Sequence, residues 1–332
     1  MSTPHLPPPS PPLRVNLPVA TGRTKSAAMY LSPRWAPYAL IAPFLILFGV
    51  FGVFPLVFSL YLAFQSWEPT SGLESMKFVG FDNFVFALQD EWFWKSLKNT
   101  GWLAVASGVP QHLVAIPLAV FIHTSFTRLR NGVVGAYFLP YITSTVAIAI
   151  MFSSLFSTDF GLVNLGLGAL RGVPLLGSLM PAAPIDWLGQ PENIKPAIAM
   201  IVFWRYVGFN VVLYLAALQT IPKDIYEAAT MDGAGRLQQF FYITLPSLRP
   251  MIFFGVTLSV IGGLQLFEEP FILTGGRGGS DQSGMTTAIY LYRMAFDFND
   301  FGAASAMSWL LFFLVAGLTW LTNRAFAPRR RA

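Results

Sequence analysis

Six polar or aromatic side chains stand within otherwise apolar stretches of the sequence, where they could contact a small hydrophilic solute. They are Tyr206, Asn210, Tyr214, Phe267, Glu268 and Glu269. Tyr206, Asn210 and Tyr214 recur every four residues, so a helix would place them on one face. Aromatic rings beside hydrogen-bonding groups suit sugars, which present apolar C–H faces and hydroxyl groups. We therefore interpret these residues as candidate solute contacts.

The same side chains also have structural interpretations, which the sequence leaves open. Arg205 could form an ion pair with Glu268 or Glu269, because all three fall in the outer halves of neighbouring apolar stretches and so at a similar depth in a membrane. Aromatic residues in apolar helices commonly pack against one another or mark the membrane interface. We interpret His112 and His123 as ordinary helix-end residues.

Motifs for catalysis or for a bound cofactor are absent from the sequence. The phosphate-binding pattern G-x-x-x-x-G-K-[ST] does not occur, and neither do HExxH and GxSxG. The chain has no Cys, and its three His are too scattered for a metal centre. We predict no catalytic residue, metal or cofactor. Because the basic residues are divided among short loops and tails, we also predict no nucleic-acid partner.

The composition predicts an integral membrane protein in which helices position these side chains. Of 332 residues, 54% are hydrophobic and 11% are charged, whereas a soluble domain carries roughly 25% charged residues. Six stretches reach the roughly 20 apolar residues that a spanning helix requires, and their continuous apolar runs favour helices over barrel strands. They are residues 38–64, 100–121, 133–156, 196–218, 251–273 and 301–321.

The distribution of Lys and Arg predicts the orientation of the spans. Thirteen basic residues fall on the side that holds both termini, and seven fall in the longer loops of the other side, so we place both termini in the cytoplasm. Residues 160–180 carry Arg171 and several Gly and Pro, so we interpret them as an external segment along the interface; a re-entrant hairpin is the alternative. Residues 1–36 form a Pro-rich, disordered cytoplasmic tail, and residues 326–332 a basic cytoplasmic tail.

The loop between the fourth and fifth spans, residues 220–250, reads TIPKDIYEAATMDGAGRLQQFFYITLPSLRP. We predict a short helix over residues 225–231 and a turn over residues 232–235, because glycine supplies turn conformations. A second short helix follows over residues 236–244, and Leu245-Pro246 ends the loop before span five. The result is a compact helix–turn–helix on the cytoplasmic side.

This loop resembles the EAA loop of binding-protein-dependent ABC importer permeases. The resemblance rests on EAA, Gly233 after three intervening residues, Ile243 after nine more, and then Leu245-Pro246. The resemblance extends over residues 37–325. Three segments are similar to the first permease partner of maltose and multiple-sugar importers: NVVLYLAALQTIPKDIYEAATMDGAG, LTGGRGG followed by TTAIYLYRMAF, and FVGFDNF. Departures are Arg277, within a stretch usually written glycine-glycine-proline, and the acidic pair at 268 and 269.

The resemblance implies an all-α integral membrane protein of six transmembrane helices with the ABC type I importer permease fold, in the cytoplasmic (inner) membrane. It implies that the loop forms a coupling helix in a cleft of a separate ATPase, which performs ATP hydrolysis. The coupling residues would be Glu227, Ala228, Ala229, Asp232, Gly233 and Ala234. The implied partners are a second permease subunit, two ATP-binding subunits, an extracytoplasmic sugar-binding protein and the lipid bilayer.

We therefore expect a permease subunit that moves a mono- or oligosaccharide. Permeases for a polyol or a glycerol-phosphate-type solute, and a stand-alone secondary carrier, are the alternatives. A membrane-embedded hydrolase lacks a paired nucleophile and base. The particular sugar, and the subunit that holds most of its contacts, are not encoded here, because selectivity is shared with the binding protein and the second permease.

Overall fold

The computed structural model describes residues 36–125, 130–173, 177–179, 181 and 184–326. The predicted Pro-rich tail, residues 1–36, and basic tail, residues 326–332, lie outside the described residues except for Ala36, which begins the first helix, and Phe326, which ends the last. The chain divides into two units, residues 1–55 and 56–332. In the first unit, helix α1 (Ala36–Phe48) leads into a π-helical turn, Gly49–Val53, after which α2 (Phe54–Leu62) begins. The apolar helix Pro37–Leu62 is long enough to cross a membrane.

The second unit begins within α2; a small hairpin follows, and the other secondary structure in its described residues is helical. Strands β1 (Gln65–Ser66) and β2 (Lys77–Phe78) are antiparallel, with Gln65 opposite Phe78. Two 3₁₀ turns, Pro69–Ser71 and Leu73–Ser75, lie between them, and two more occur at Gly177–Leu179 and Ser280–Gln282. The helices are α3 (Asp82–Gln89), α4 (Glu91–Ser125), α5 (Arg130–Ile142), α6 (Thr145–Leu155), α7 (Leu162–Arg171), α8 (Pro191–Leu218), α9 (Lys223–Met231), α10 (Arg236–Gln239), α11 (Leu245–Leu264), α12 (Glu268–Leu273), α13 (Thr287–Phe296) and α14 (Phe301–Phe326).

Helices α4 and α8 form the centre of this unit, with α5 packed on α8, α11 packed on both, and α14 packed on α11. The core is built in layers along the helices. At one end Ile122, Leu218 and Leu248 pack together, and farther along Leu103 packs with Leu266. Packing among these apolar helices depends on close van der Waals contact, since lipid is as apolar as the side chains themselves.

At the end of the bundle where α4 begins, polar contacts join α4 and the residue before it to α13 and to the segment that precedes α13. Asn99 of α4 donates to the carbonyl oxygens of Gln282 and Met285, at 3.2 and 3.1 Å. The Tyr290 hydroxyl donates to the Asp90 carboxylate. Burial, together with this acceptor, raises the pKa of Tyr290 above its usual range. The phenol therefore stays protonated and serves as a hydrogen-bond donor at this end of the bundle.

The predicted fold class is confirmed. Five described helices are long and apolar enough to cross a membrane, and the number is six if a bent pair counts as one span. That pair corresponds to the predicted third span, 133–156, which the structure divides into two helices. Helix axes Gly132–Ile142 and Thr145–Leu155 meet at 93°. Pro140 weakens the preceding turn, and Ser144 has an extended backbone (φ −54°, ψ 129°) that begins α6 anew.

The predicted end of the 220–250 loop at Leu245-Pro246 is also wrong. A π-helical turn, Phe240–Thr244, joins α10 directly to α11, so that one helix spans Arg236–Leu273 apart from a break after Leu264. Pro246 lies in the first turn of α11, directly after the π turn. Its missing N–H does not end the helix there, because the π turn has already shifted the hydrogen-bonding register. The loop's second helix is therefore the beginning of the fifth span.

Residues 160–173 contain α7, which has ten residues and no buried side chain. At 1.5 Å per residue it is too short to cross a membrane. Asn164 anchors it, because its Nδ2 donates to the Ile185 carbonyl oxygen at 2.8 Å and its Oδ1 accepts from the Trp187 indole at 3.1 Å. Its placement along the membrane interface stays a prediction.

Candidate solute cavity and coupling loop

Two adjoining cavities of about 230 and 540 Å³ lie between α4, α5, α8 and the α11–α12 break. Tyr141, Tyr206, Gly262 and Leu266 line both. The smaller cavity is also lined by Ser107, Gly108, Gln111, Val202, Phe209, Asn210, Leu258, Ser259 and Gly263. The larger cavity is also lined by Arg205, Gln265, Phe267, Glu268 and Glu269. Mixed aromatic and polar walls of this kind are typical of small-molecule sites.

A buried ion pair closes one side of the larger cavity. The Arg205 guanidinium Nη1 lies 2.6 Å from Glu269 Oε1, and only 11% and 3% of the two side chains are exposed. The guanidinium also lies 5.4 Å from the centre of the Tyr206 ring, within the range of a cation–π contact. The ion pair that the sequence left open is therefore formed with Glu269. Arg205 Nε is buried and has no partner among the described residues.

Glu268 has a different environment from its neighbour. It is exposed, and its Oε2 accepts a hydrogen bond from Thr145 Oγ1 at 2.5 Å. Thr145 is the first residue of α6, directly after the 93° bend, and Glu268 is the first residue of α12, directly after the break in span five. One hydrogen bond thus joins the bend in the third span to the break in the fifth span at the cavity wall.

Asn210 lies deep in the smaller cavity, with 2% of its surface exposed. Its Nδ2 donates to Gln111 Oε1 and to the carbonyl oxygen of Tyr206, both at 3.2 Å. Its Oδ1 is buried and accepts no hydrogen bond within the described part of the chain. A buried acceptor without a donor is costly unless a bound group supplies one.

Tyr214 is the one predicted solute contact that does not line either cavity. Its side chain is fully buried, and its hydroxyl lies 2.7 Å from His112 Nδ1. His112 Nε2 lies 3.0 Å from Ser259 Oγ. The interpretation of His112 as a helix-end residue is wrong, because it sits in the interior of α4 and links α8 to α11; His123 does lie in the last turn of α4.

The structure adds cavity residues that the sequence reasoning passed over. Tyr141 stacks on Phe209 with ring centroids 4.7 Å apart and meets the Tyr206 ring edge-on at 5.8 Å. Gln111 is a polar residue inside the second apolar stretch, which is the same signal that singled out Asn210. Tyr141 carried no such signal beyond its position beside Pro140.

The candidate coupling loop, residues 220–250, has an exposed tip and is internally braced. Glu227, Ala228, Asp232 and Gly233 are exposed, whereas Ala229 and Ala234 are half-buried. Gly233 has φ +82°, and its N–H donates to the Thr230 carbonyl oxygen at 3.0 Å, which closes the end of α9.

Side chains then fix α9 against the following helix. Gln239 Nε2 donates to Thr230 Oγ1 and to the Ala234 carbonyl oxygen, both at 3.0 Å, and the Tyr226 and Thr244 hydroxyls are 2.9 Å apart. An open cavity of about 300 Å³ follows the turn and is lined by Asp232, Gly233, Ala234, Gln238, Gln239, Tyr242 and Ile243. The two helices therefore form one braced unit with an exposed tip.

Within the described residues, no group of three or more His, Asp or Glu side chains could hold a metal ion. The spans, the cavity at their breaks and the exposed loop define a polytopic α-helical permease subunit. Residues 114–332 match the family of binding-protein-dependent transport system inner membrane components, and the chain belongs to this family. It is a non-catalytic, multi-pass inner membrane subunit of an ABC importer.

Relatives and solved structures agree with this assignment along nearly the whole chain. The lactose transport system permease protein LacF of Rhizobium radiobacter is 35% identical over 89% of this chain and 94% of the relative. The arabinooligosaccharides transport system permease protein AraP of Bacillus subtilis is 30% identical over 86% and 87%. A crystal structure of a bacterial ABC transporter for the acidic polysaccharide alginate contains a similar chain, with a TM-score of 0.74, 26% identity, and coverage of 90% and 96%. A second, in complex with an alginate pentasaccharide-bound periplasmic protein, has a TM-score of 0.71 at 26% identity, with coverage of 87% and 93%.

Proposed function

We propose that this chain is the permease subunit through which a mono- or oligosaccharide is imported, and that its 220–250 loop couples transport to a separate ATPase subunit. The observation that carries the saccharide assignment is the cavity, where aromatic rings adjoin unpaired polar atoms. Tyr141 and Tyr206 offer ring surface for sugar C–H groups, and Asn210 Oδ1 offers an unfilled acceptor for a sugar hydroxyl. The lactose and arabinooligosaccharide names of two relatives support the same class.

The coupling proposal rests on the direct connection between the loop and the cavity. The helix that starts at Arg236 continues without interruption to Leu264, and the cavity residues Gln265 to Glu269 follow at once. At a rise of 1.5 Å per residue this helix is roughly 40 Å long, so it can transmit a displacement over that distance. Movement of the braced loop by an ATPase would therefore reach the α11–α12 break as a rigid-body motion.

The exposed and half-buried residues of α9 supply the surface for that ATPase. Ala228 and Ala229 are small enough for close approach of a partner, and Glu227 offers a charge to a basic group. Asp232, Gly233 and Ala234 form the turn at the tip. A second permease subunit, two ATP-binding subunits and an extracytoplasmic sugar-binding protein complete the proposed assembly, with both termini of this chain in the cytoplasm.

The coupling proposal is tested by crowding the exposed face of α9. We expect Ala228→Trp to abolish co-purification of the ATP-binding subunits, because an indole would hold the two surfaces apart. The matched control is Ala169→Trp, since Ala169 is also an exposed alanine in a short helix. Retention of the ATP-binding subunits by Ala228→Trp, at the level of the control, would overturn the assigned coupling surface.

A further inference from the structure

Glu268 is the charged residue of the larger cavity that lacks an opposite charge beside it within the described part of the chain. Three charged residues line this cavity, Arg205, Glu268 and Glu269. Arg205 and Glu269 neutralise each other at 2.6 Å. Thr145 donates a hydrogen bond to Glu268 but carries no charge. The wall formed by this chain therefore has a net charge of about −1.

Other cations do not compensate this carboxylate in the described part of the structure. The two remaining ion pairs there, Lys95 with Asp281 and Arg293 with Asp297, involve residues outside the cavity lining. Lys195 is directed to Asn99 Oδ1, at 3.4 Å. The other residues that line the larger cavity are uncharged.

A hydrogen bond between two spans places the carboxylate at the cavity. Glu268 begins α12 and accepts a hydrogen bond from Thr145 at the start of α6. A hydrogen bond from a hydroxyl to a carboxylate is charge-assisted and stronger than one between neutral groups. Phe267 and Tyr206 bring low-polarity surface to the same wall, which weakens screening of the charge by water.

We propose that Glu268 makes this cavity select against anionic solutes, so that the cargo is a neutral saccharide or one that carries a positively charged amino group. The cargo part of this inference rests on the proposed function, because it requires that the solute passes through the cavity. An acidic sugar would meet an uncompensated carboxylate within a few ångströms. A neutral sugar could instead donate hydroxyl hydrogen bonds to Glu268, and an ammonium group could pair with it.

The absence of Cys allows the charge selectivity to be measured without knowledge of the cargo. Gln265 is exposed and lines the larger cavity, so Gln265→Cys introduces a single thiol there. The full transporter, in membrane fragments open to both faces, is treated with cationic and anionic methanethiosulfonate reagents of similar size. Modification of this chain is followed by mass spectrometry, and each rate is divided by the reagent's rate with free 2-mercaptoethanol.

We expect the normalised rates to favour the cationic reagent by at least roughly tenfold, because one carboxylate about 6 Å away produces about that ratio even at the dielectric constant of bulk water. Adding Glu268→Gln should bring the ratio close to one. Adding Glu74→Gln, which removes an exposed carboxylate from the turn between β1 and β2, should leave it unchanged. A ratio near one with Glu268 intact, or an equal loss in both variants, would overturn the inference.

Two further readouts keep the test decisive. In the Gln265→Cys chain with Glu268 present, the preference for the cationic reagent should shrink as salt rises from about 50 to about 500 mM, because the Debye length shortens. This measurement requires no second variant to fold.

Uptake of labelled lactose and of a uronic-acid disaccharide then tests the cargo. Glu268→Gln should raise uptake of the uronic-acid disaccharide relative to lactose, because it removes the repelling charge and keeps a hydrogen-bonding side chain. A Glu268-dependent reagent ratio without any such relative gain would sustain the cavity's selectivity and reject the cavity as the solute path.

Discussion

Arg205 of α8 and Glu269 of α12 form a 2.6 Å ion pair in which almost none of either side chain reaches solvent. This pair fixes α12 against the central helix at the point where span five is broken. It also separates the two adjacent carboxylates, because Glu269 is neutralised and buried while Glu268 is exposed at the cavity. The acidic pair therefore has one structural member and one member available to solute.

Removing one partner of this pair should strongly destabilise the chain. We expect Glu269→Ala to cost about 3–5 kcal/mol of unfolding free energy, because it leaves a buried guanidinium without its counter-charge. The measurement is thermal unfolding of the purified subunit in detergent. Asp297→Ala is the control, since the Arg293–Asp297 pair is exposed and should contribute less than about 1 kcal/mol. Equal losses in the two variants would contradict the assignment of Arg205–Glu269 as a buried structural pair.

Gly208 should be intolerant of any side chain. A Cβ atom built there would lie 1.7 Å from the Tyr137 carbonyl oxygen, so α5 and α8 must separate to admit it. We expect Gly208→Ala to cost roughly 1–3 kcal/mol, as overpacking of a close contact does. Gly101→Ala is the matched control, because no described neighbouring atom lies within 4 Å of where a Cβ atom of residue 101 would be. Comparable melting temperatures for the two variants would show that α5 does not pack this closely on α8.

The hydroxyl of Tyr214 should matter for stability and not for solute recognition. Tyr214→Phe removes the partner of His112 Nδ1 and should cost about 1–3 kcal/mol, because a buried polar atom is left unsatisfied. The apparent KM for the proposed sugar cargo should be unchanged. Tyr206→Phe is the comparison, since Tyr206 lines both cavities. A raised KM in Tyr214→Phe without loss of stability would return Tyr214 to the solute path.

Asn210 and Glu268 should contribute to uptake without being needed for assembly. We expect Asn210→Ala and Glu268→Ala to lower the rate of sugar uptake, because each removes a polar group that faces a cavity. Membrane insertion and co-purification of the ATP-binding subunits should persist. The measurement is uptake of labelled sugar at matched expression. Wild-type uptake in both variants would remove these positions from the proposed path.

The turn at Gly233 should require glycine. Its φ of +82° is a left-handed conformation that costs a side-chain-bearing residue roughly 1–2 kcal/mol. We expect Gly233→Ala to loosen the end of α9 and to weaken retention of the ATP-binding subunits. Gly235→Ala is the control, because Gly235 has φ −71° and its Cβ would meet Gln238 Oε1 at an ordinary 3.8 Å. Equal retention in the two variants would count against a role for the turn geometry in coupling.

The sequence by itself determined the membrane class, the helical spans and the short helix of the loop. Continuous apolar runs of about 20 residues can satisfy their backbone groups in lipid only as helices, so these features follow from composition and length. The spacing of EAA, Gly233 and Ile243 was enough to indicate the family. Five of the six predicted solute contacts line the cavities for the same reason, since polar residues inside a span are costly unless they face a cavity or a partner.

The tertiary structure alone decided how the spans are broken and which polar groups pair. The 93° bend before Thr145 and the break before Glu268 are joined by a hydrogen bond between two residues 123 positions apart in the chain. Helical periodicity placed Tyr214 on the same face as Asn210 but could not show that His112, on a different helix, occupies its hydroxyl. Local pattern reports which face a residue belongs to, whereas its partner is set by contacts between helices that are distant in sequence.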